Sequence, residues 1–175
     1  RIFRSVMFST GSANSIWLTA VRYDTDEAWI FHSIDDGQTW SEHPIDVVSA
    51  DGANVYVDVI IADNTDPNRA WIVMGPYLDD QLLETRDGGR TFSVVYEPDG
   101  DIIDGAQSAD HALWIITSGS KVIFSENGEF FQRLEEAPQT IGIKADNDTI
   151  YLAHRIASET DTMSSTTDGQ SFDRV

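Results

Sequence analysis

Ser33-Ile-Asp-Asp-Gly-Gln-Thr-Trp40 decides how this chain is read, because the pattern returns three more times. The other copies are Thr85-Arg-Asp-Gly-Gly-Arg-Thr-Phe92, Phe124-Ser-Glu-Asn-Gly-Glu-Phe-Phe131 and Ser165-Thr-Thr-Asp-Gly-Gln-Ser-Phe172. Aligned on Gly37, Gly89, Gly128 and Gly169, they stand 52, 39 and 41 residues apart. A recurrence of about 40–50 residues marks an architecture built by repeating one supersecondary unit.

Working outward from each copy, short β-branched and aromatic runs bounded by Gly, Asn, Asp and Pro predict four strands per unit. The first unit predicts strands at 2–8, 16–22, 28–33 and 39–43, and the second at 55–61, 70–75, 81–85 and 91–97. The third predicts 102–108, 112–117, 121–125 and 130–134, and the fourth 140–144, 149–154, 162–166 and 171–175. Alternation is clearest at Val55, Val57, Val59 and Ile61. A second mark recurs in the second strands: Trp17, Trp71, Trp114 and Tyr151 each sit between aliphatic residues. Such rings are expected to pack between neighbouring sheets.

Four units of four antiparallel strands are the layout of an all-β β-propeller, in which stacked blades bury what one sheet cannot bury alone. The expected blades are roughly 1–47, 48–98, 99–137 and 138–175. They form either a single domain over 1–175 or a half-propeller, closed by self-association or by further blades. The chain opens at Arg1 without an initiator Met or signal peptide, which reads as a mature or excised segment.

Eleven basic and thirty acidic residues give a formal charge of −19. That surface repels phosphate backbones and anionic lipid, so neither nucleic acid nor a membrane surface is an expected partner. No run approaches the roughly 18 apolar residues of a membrane span. The chain has no cysteine, which removes disulfides, thiolate catalysis and sulfur-ligated metal. An acidic chain whose only lysines are Lys121 and Lys144 suits a secreted, periplasmic or cell-surface bacterial setting.

The pattern Ser/Thr-x-Asp-x-Gly-x-Thr-Trp/Phe resembles the Asp box, or bacterial neuraminidase repeat, and 33–40 and 85–92 match it in full. In the third copy Phe124 stands for the leading hydroxyl and Glu126 for the Asp; in the fourth Thr167 stands for the Asp. The resemblance spans the chain and implies a superfamily of propellers that includes sialidases, xyloglucan-cleaving hydrolases, sortilin-type receptors and a photosystem II assembly factor. It implies that the box lies between third and fourth strands, away from any active site. Ser33, Asp35, Gly37, Trp40, Thr85, Asp87, Gly89, Phe92, Gly128, Phe131, Ser165, Gly169 and Phe172 then become structural residues. The physical expectation is the same: the Asp accepts amide hydrogens of its own turn, the Gly takes a positive φ, and the aromatic anchors the next strand in the core.

No residue is assigned a catalytic role. A sialidase needs three converging arginines, but Arg86, Arg90, Arg133 and Arg174 lie in or beside box turns. His32, His43, His111 and His154 are scattered, without a nucleophile-elbow context. No cofactor is expected; the one metal left open is Ca²⁺, because 63–68 and 99–105 gather hard oxygen ligands on loops. The connections expected to share one face offer Tyr23, Asp24, Asp26, Tyr77, Asp79, Asp80 and Arg155 as ligand-binding candidates. Aromatic platforms beside carboxylates suit sugars or basic protein patches. The expectation is therefore a non-catalytic binding or scaffold module for a protein or glycan partner. The alternative is a carbohydrate-active enzyme of the Asp-box type with its site partly outside this chain.

Overall fold

A computed structural model describes residues 3–11, 14–45, 56–75, 81–118, 121–134, 140–147, 149–154, 162–167 and 172–174. Sixteen strands and no helix occur among them. Arg1–Glu97 and Pro98–Val175 form two compact units, each holding two four-stranded antiparallel sheets.

In the first unit one sheet runs β1 (Phe3–Thr10), β2 (Ile16–Arg22), β3 (Ala28–Ser33), β4 (Ser41–Pro44). The other runs β5 (Tyr56–Ala62), β6 (Ala70–Gly75), β7 (Leu82–Thr85), β8 (Ser93–Tyr96). Each strand pairs with the next in sequence, as short hairpin turns dictate. The first strands β1 and β5 touch, and a shared core closes on Trp17, Ile30, Val57, Ile72, Met74 and Leu83. Sheet β5–β8 has β6 and β7 buried along their whole length. That explains why 70–75 reads as a continuous apolar run rather than an alternating one.

The second unit repeats the plan. Its sheets are β9 (Ile102–Gln107), β10 (Leu113–Thr117), β11 (Val122–Ser125), β12 (Gln132–Leu134) and β13 (Thr140–Asp146), β14 (Thr149–His154), β15 (Thr162–Thr166), β16 (Asp173–Arg174). First strands β9 and β13 touch, around Trp114, Ile116, Val122, Ile143, Ile150 and Leu152.

Register makes the four sheets comparable. Trp17, Trp71, Trp114 and Tyr151 pair across to His32, Glu84, Phe124 and Ser165. The tryptophans are fully buried and Tyr151 is half-buried. Every first strand also carries a bulge that composition does not announce: at Ser5, Asp58, Ile103 and Ile141 one residue is left out of the pairing. A bulge sharpens local twist and turns a side chain off the pleat. Asp58, Ile103 and Ile141 are exposed accordingly.

Candidate functional site

The two full box turns are built alike. Ser33 Oγ donates to Asp35 Oδ1 at 2.8 Å and accepts the Gly37 N–H at 2.9 Å. Asp35 in turn accepts the Thr39 N–H at 2.8 Å and the Thr39 hydroxyl at 2.6 Å. The Thr39 hydroxyl, its N–H and Ser33 together hold the Asp35 carboxyl at about 2. In the second turn Thr85 Oγ1 donates to Asp87 at 3.0 Å and accepts the Gly89 N–H at 2.9 Å. Asp87 accepts from Arg90 N–H, Thr91 N–H and the Thr91 hydroxyl at 3.0, 3.0 and 2.7 Å. Desolvation alone would raise the Asp87 carboxyl; these donors and the Thr85 hydroxyl outweigh it and lower it. Gly37 and Gly89 take φ of 81° and 89°, the left-handed region glycine tolerates.

Register changes the reading of the degraded copies. Opposite the first residues of β2, β6 and β10 stand Ser33, Thr85 and Ser125, and in β14 Ile150 faces Thr166. The third hydroxyl is therefore Ser125, whose Oγ accepts the Gly128 N–H at 2.9 Å, and not a position vacated by Phe124. The third turn is one residue shorter, with Asn127 accepting the Glu129 N–H at 2.9 Å in the role of the Asp. In the fourth sheet buried Thr166, rather than half-buried Ser165, occupies that position; Gly169 lies outside the described residues. Alignment on glycines hides this shortening, although a second hydroxyl beside each mismatched position is its signal.

Trp40 also departs from expectation. It is 44% exposed, and its indole N–H folds back onto the Gly37 carbonyl at 3.0 Å, capping the turn instead of entering the core. The strand it precedes, β4, is an edge with little core to reach. Phe92 and Phe172 are partly buried and do pack against the cores of their units. Phe131 is half-buried.

Between the first two box turns lies a cleft of about 210 Å³ lined by residues that include His32, Thr39, Asp87 and Arg90. His32 stacks on Trp17 at 3.9 Å and its Nε2 meets the Pro67 carbonyl at 2.6 Å, which sets the ring's tautomer. Burial lowers its pKa.

At the other ends of these strands, Tyr23, Asp24 and Asp26 share the β2–β3 turn. Arg22 clamps it: Nε lies 2.8 Å from Asp24, NH1 3.4 Å from Glu27, and the Glu27 carbonyl accepts the Arg22 N–H at 2.8 Å. Asp26 takes a φ of 55°, and Tyr23 is left 65% exposed. Sequence reasoning missed Arg22, which converts a flexible acidic turn into a braced one. Tyr77, Asp79, Asp80 and Arg155 lie outside the described residues.

The loop oxygens considered for calcium have other partners. Asp63 accepts Thr65 N–H, Thr65 hydroxyl and Asp66 N–H at 2.7, 2.8 and 3.0 Å. Asp104 accepts the Ile143 N–H at 2.9 Å, and Asp99 pairs with Lys121 at 3.0 Å. Among the described residues no three His, Asp or Glu side chains gather as metal ligands. The arginines are engaged as well: Arg69 Nε donates to Glu84 at 2.6 Å and Arg86 Nε to Glu84 at 2.8 Å.

No protein-family model and no curated protein matches the chain. Solved structures do. YCF48 bound to D1 peptide superposes with a TM-score of 0.62 at 20% identity, over 95% of this chain and 53% of that one. The GH74 enzyme of Niastella koreensis gives 0.68 at 15%, over 98% of this chain and 30% of that one. A Trypanosoma rangeli sialidase gives 0.58 at 14%, over 98% and 37%. The chain has the β-propeller fold. It spans about half the length of the YCF48 chain and about a third of the two enzymes.

As propeller blades, the four sheets have distinct ends. The box turns and the β1–β2-type turns share one end of each blade; the Tyr23 turn and the first-strand bulges lie toward the other. Asp58 belongs to that second end. Its carboxylate lies so close to Gly75 that a Cβ there would come within 1.8 Å of Oδ2, and desolvation raises its pKa. Residue type alone gives no signal for it, because its position follows from the bulge between Val57 and Val59.

Proposed function

We propose that this propeller is a non-catalytic binding module that recognises a protein partner through the acidic loop end carrying Tyr23. The carrying observation is the braced β2–β3 turn. Arg22 spends its guanidinium on Asp24 and Glu27, fixing a backbone from which the Tyr23 ring projects 65% exposed. An exposed aromatic amid carboxylates matches the residue type of interface hot spots. That YCF48 is described as bound to a peptide supports a protein rather than a glycan partner. The acidic surface and the setting it suits favour a secreted, periplasmic or surface-exposed role.

Affinity capture by the full-length protein, compared with a Tyr23→Ser variant, tests this. A partner retained by the parent and lost by the variant at unchanged melting temperature is the expected result; equal retention by both sinks it.

The second reading, a glycoside hydrolase, is favoured by Asp58 alone. A carboxyl that desolvation keeps protonated to higher pH suits a general acid. Turnover of fluorogenic glycosides that Asp58→Asn abolishes would establish it over the binding role.

A further inference from the structure

We propose a second interaction surface, on the box-turn end of the third blade, that takes an extended peptide segment pairing an aliphatic side chain with lysine. In the first two blades the residue before the box aromatic serves its own turn: the Thr39 and Thr91 hydroxyls reach Asp35 and Asp87 at 2.6 and 2.7 Å. The third blade places Phe130 there. Its ring has no hydroxyl to give the turn, and at 80% exposure it is the most exposed of the large apolar side chains among the described residues. A large apolar ring this exposed is a candidate contact surface.

The surroundings show what the ring is for. Phe124, Phe130 and Phe131 line a groove of about 370 Å³ with Glu126, Asn127 and Gln132. Its floor is preformed: Phe124 sits edge-on against buried Trp114 at 4.8 Å. Glu126 is exposed on the rim with no ion-pair partner among the described residues, in a chain of formal charge −19. Aromatic faces beside a carboxylate attract an ammonium group and repel an acidic segment. Running out of the groove, β12 is the edge strand of its sheet, the geometry that takes up an extended segment. Together these specify an apolar anchor with a neighbouring cation. The site goes beyond the Tyr23 reading, since it occupies a different blade and the box-turn end.

Fluorescence anisotropy on the full protein tests it, using a labelled hexapeptide of alternating lysine and leucine near physiological salt. Its lysine/serine and glutamate/leucine counterparts serve as controls. Phe130→Thr is expected to weaken the lysine/leucine peptide about tenfold or more, the scale of losing one well-covered ring. Glu126→Lys lowers that affinity while improving the glutamate/leucine peptide. Equal binding by parent and Phe130→Thr overturns the proposal. So does equal affinity for the lysine/serine or glutamate/leucine peptide, or a neutral oligosaccharide whose binding Phe130→Thr abolishes. Circular dichroism shows whether Phe130→Thr remains folded; should it not, Glu126→Lys reads the charge selectivity independently.

Discussion

Thr85→Val removes one oxygen and keeps the shape of the side chain, so its cost isolates the hydroxyl at the centre of the second box. Thr85 is 1% exposed, and no water can replace what is lost. The hydroxyl accepts the Gly89 N–H at 2.9 Å and donates to the Asp87 carboxylate at 3.0 Å. Gly89 is itself buried, so its amide hydrogen becomes an unsatisfied buried donor, at about 1–3 kcal/mol. The lost bond to a carboxylate adds about 1 kcal/mol, taken low because Asp87 keeps Thr91 and Arg90 as donors. The sum is about 2–4 kcal/mol, which in a chain of this size lowers the melting temperature by roughly 5–15 °C. Differential scanning calorimetry of the parent, Thr85→Val and Thr85→Ser reads it directly. Serine keeps the oxygen and loses one methyl, so it should fall within about 1 kcal/mol of the parent. If valine melts with the parent, or serine falls as far as valine, the hydroxyl does not organise the turn.

Gly89→Ala should cost more than about 1 kcal/mol, because φ is 89° and the new Cβ would meet Ile30 Cγ2 at 2.7 Å; a melting temperature equal to the parent's would contradict this. Glu84→Gln removes the charge shared by Arg69 and Arg86 at a side chain 6% exposed, while Arg69 keeps Asp63 and Arg86 is half exposed; it should destabilise by about 1–3 kcal/mol in urea unfolding. Acid should unfold the chain through its turn carboxylates. Asp35, Asp63 and Asp87 are depressed in the fold, so their stabilisation is complete above the ordinary value of 3.8 and is lost as pH falls, for Asp35 through about 2. Melting temperature measured between pH 6 and pH 2 should drop mainly below pH 4, and Asp87→Asn should flatten that slope.

The four-strand grammar was legible because turns and strands obey separate local rules. Asp-Gly and Asn-Gly steps need positive φ, and the runs between them alternate or are uniformly apolar, so 16–22, 28–33, 70–75 and 149–154 emerge as strands from type alone. What failed was alignment by a single residue. Gly128 and Gly169 drew Phe124 and Ser165 into the hydroxyl position, whereas pairing opposite Leu113 and Ile150 selects Ser125 and Thr166. A phenyl ring cannot accept the Gly128 amide hydrogen, an objection that follows from side-chain chemistry alone. The bulges have no comparable signal, since Ser5, Asp58, Ile103 and Ile141 share no chemistry. Nor does the Asp63–Arg69–Glu84–Arg86 network, which arises only when the β5–β6 turn meets the end of β7. Of the loop candidates, Tyr23, Asp24 and Asp26 share a turn as their spacing requires, with Arg22 as the unforeseen brace.

A charge of −19 invites the inference that every acid attracts cationic partners alike, and the described turns argue against it. Asp35, Asp63 and Asp87 are saturated with donors from their own turns, and a cation approaching them must compete with amide hydrogens already in place. Asp24 and Asp99 are answered by Arg22 and Lys121. On the proposed surface, attraction for a cationic partner would come from acids without such commitments, of which Glu126 beside Phe130 is one. Screening acts on that subset, with a decay of about 8 Å at physiological salt. Association should therefore depend on salt as a few charges do, with the aromatic rings supplying the part that salt leaves untouched.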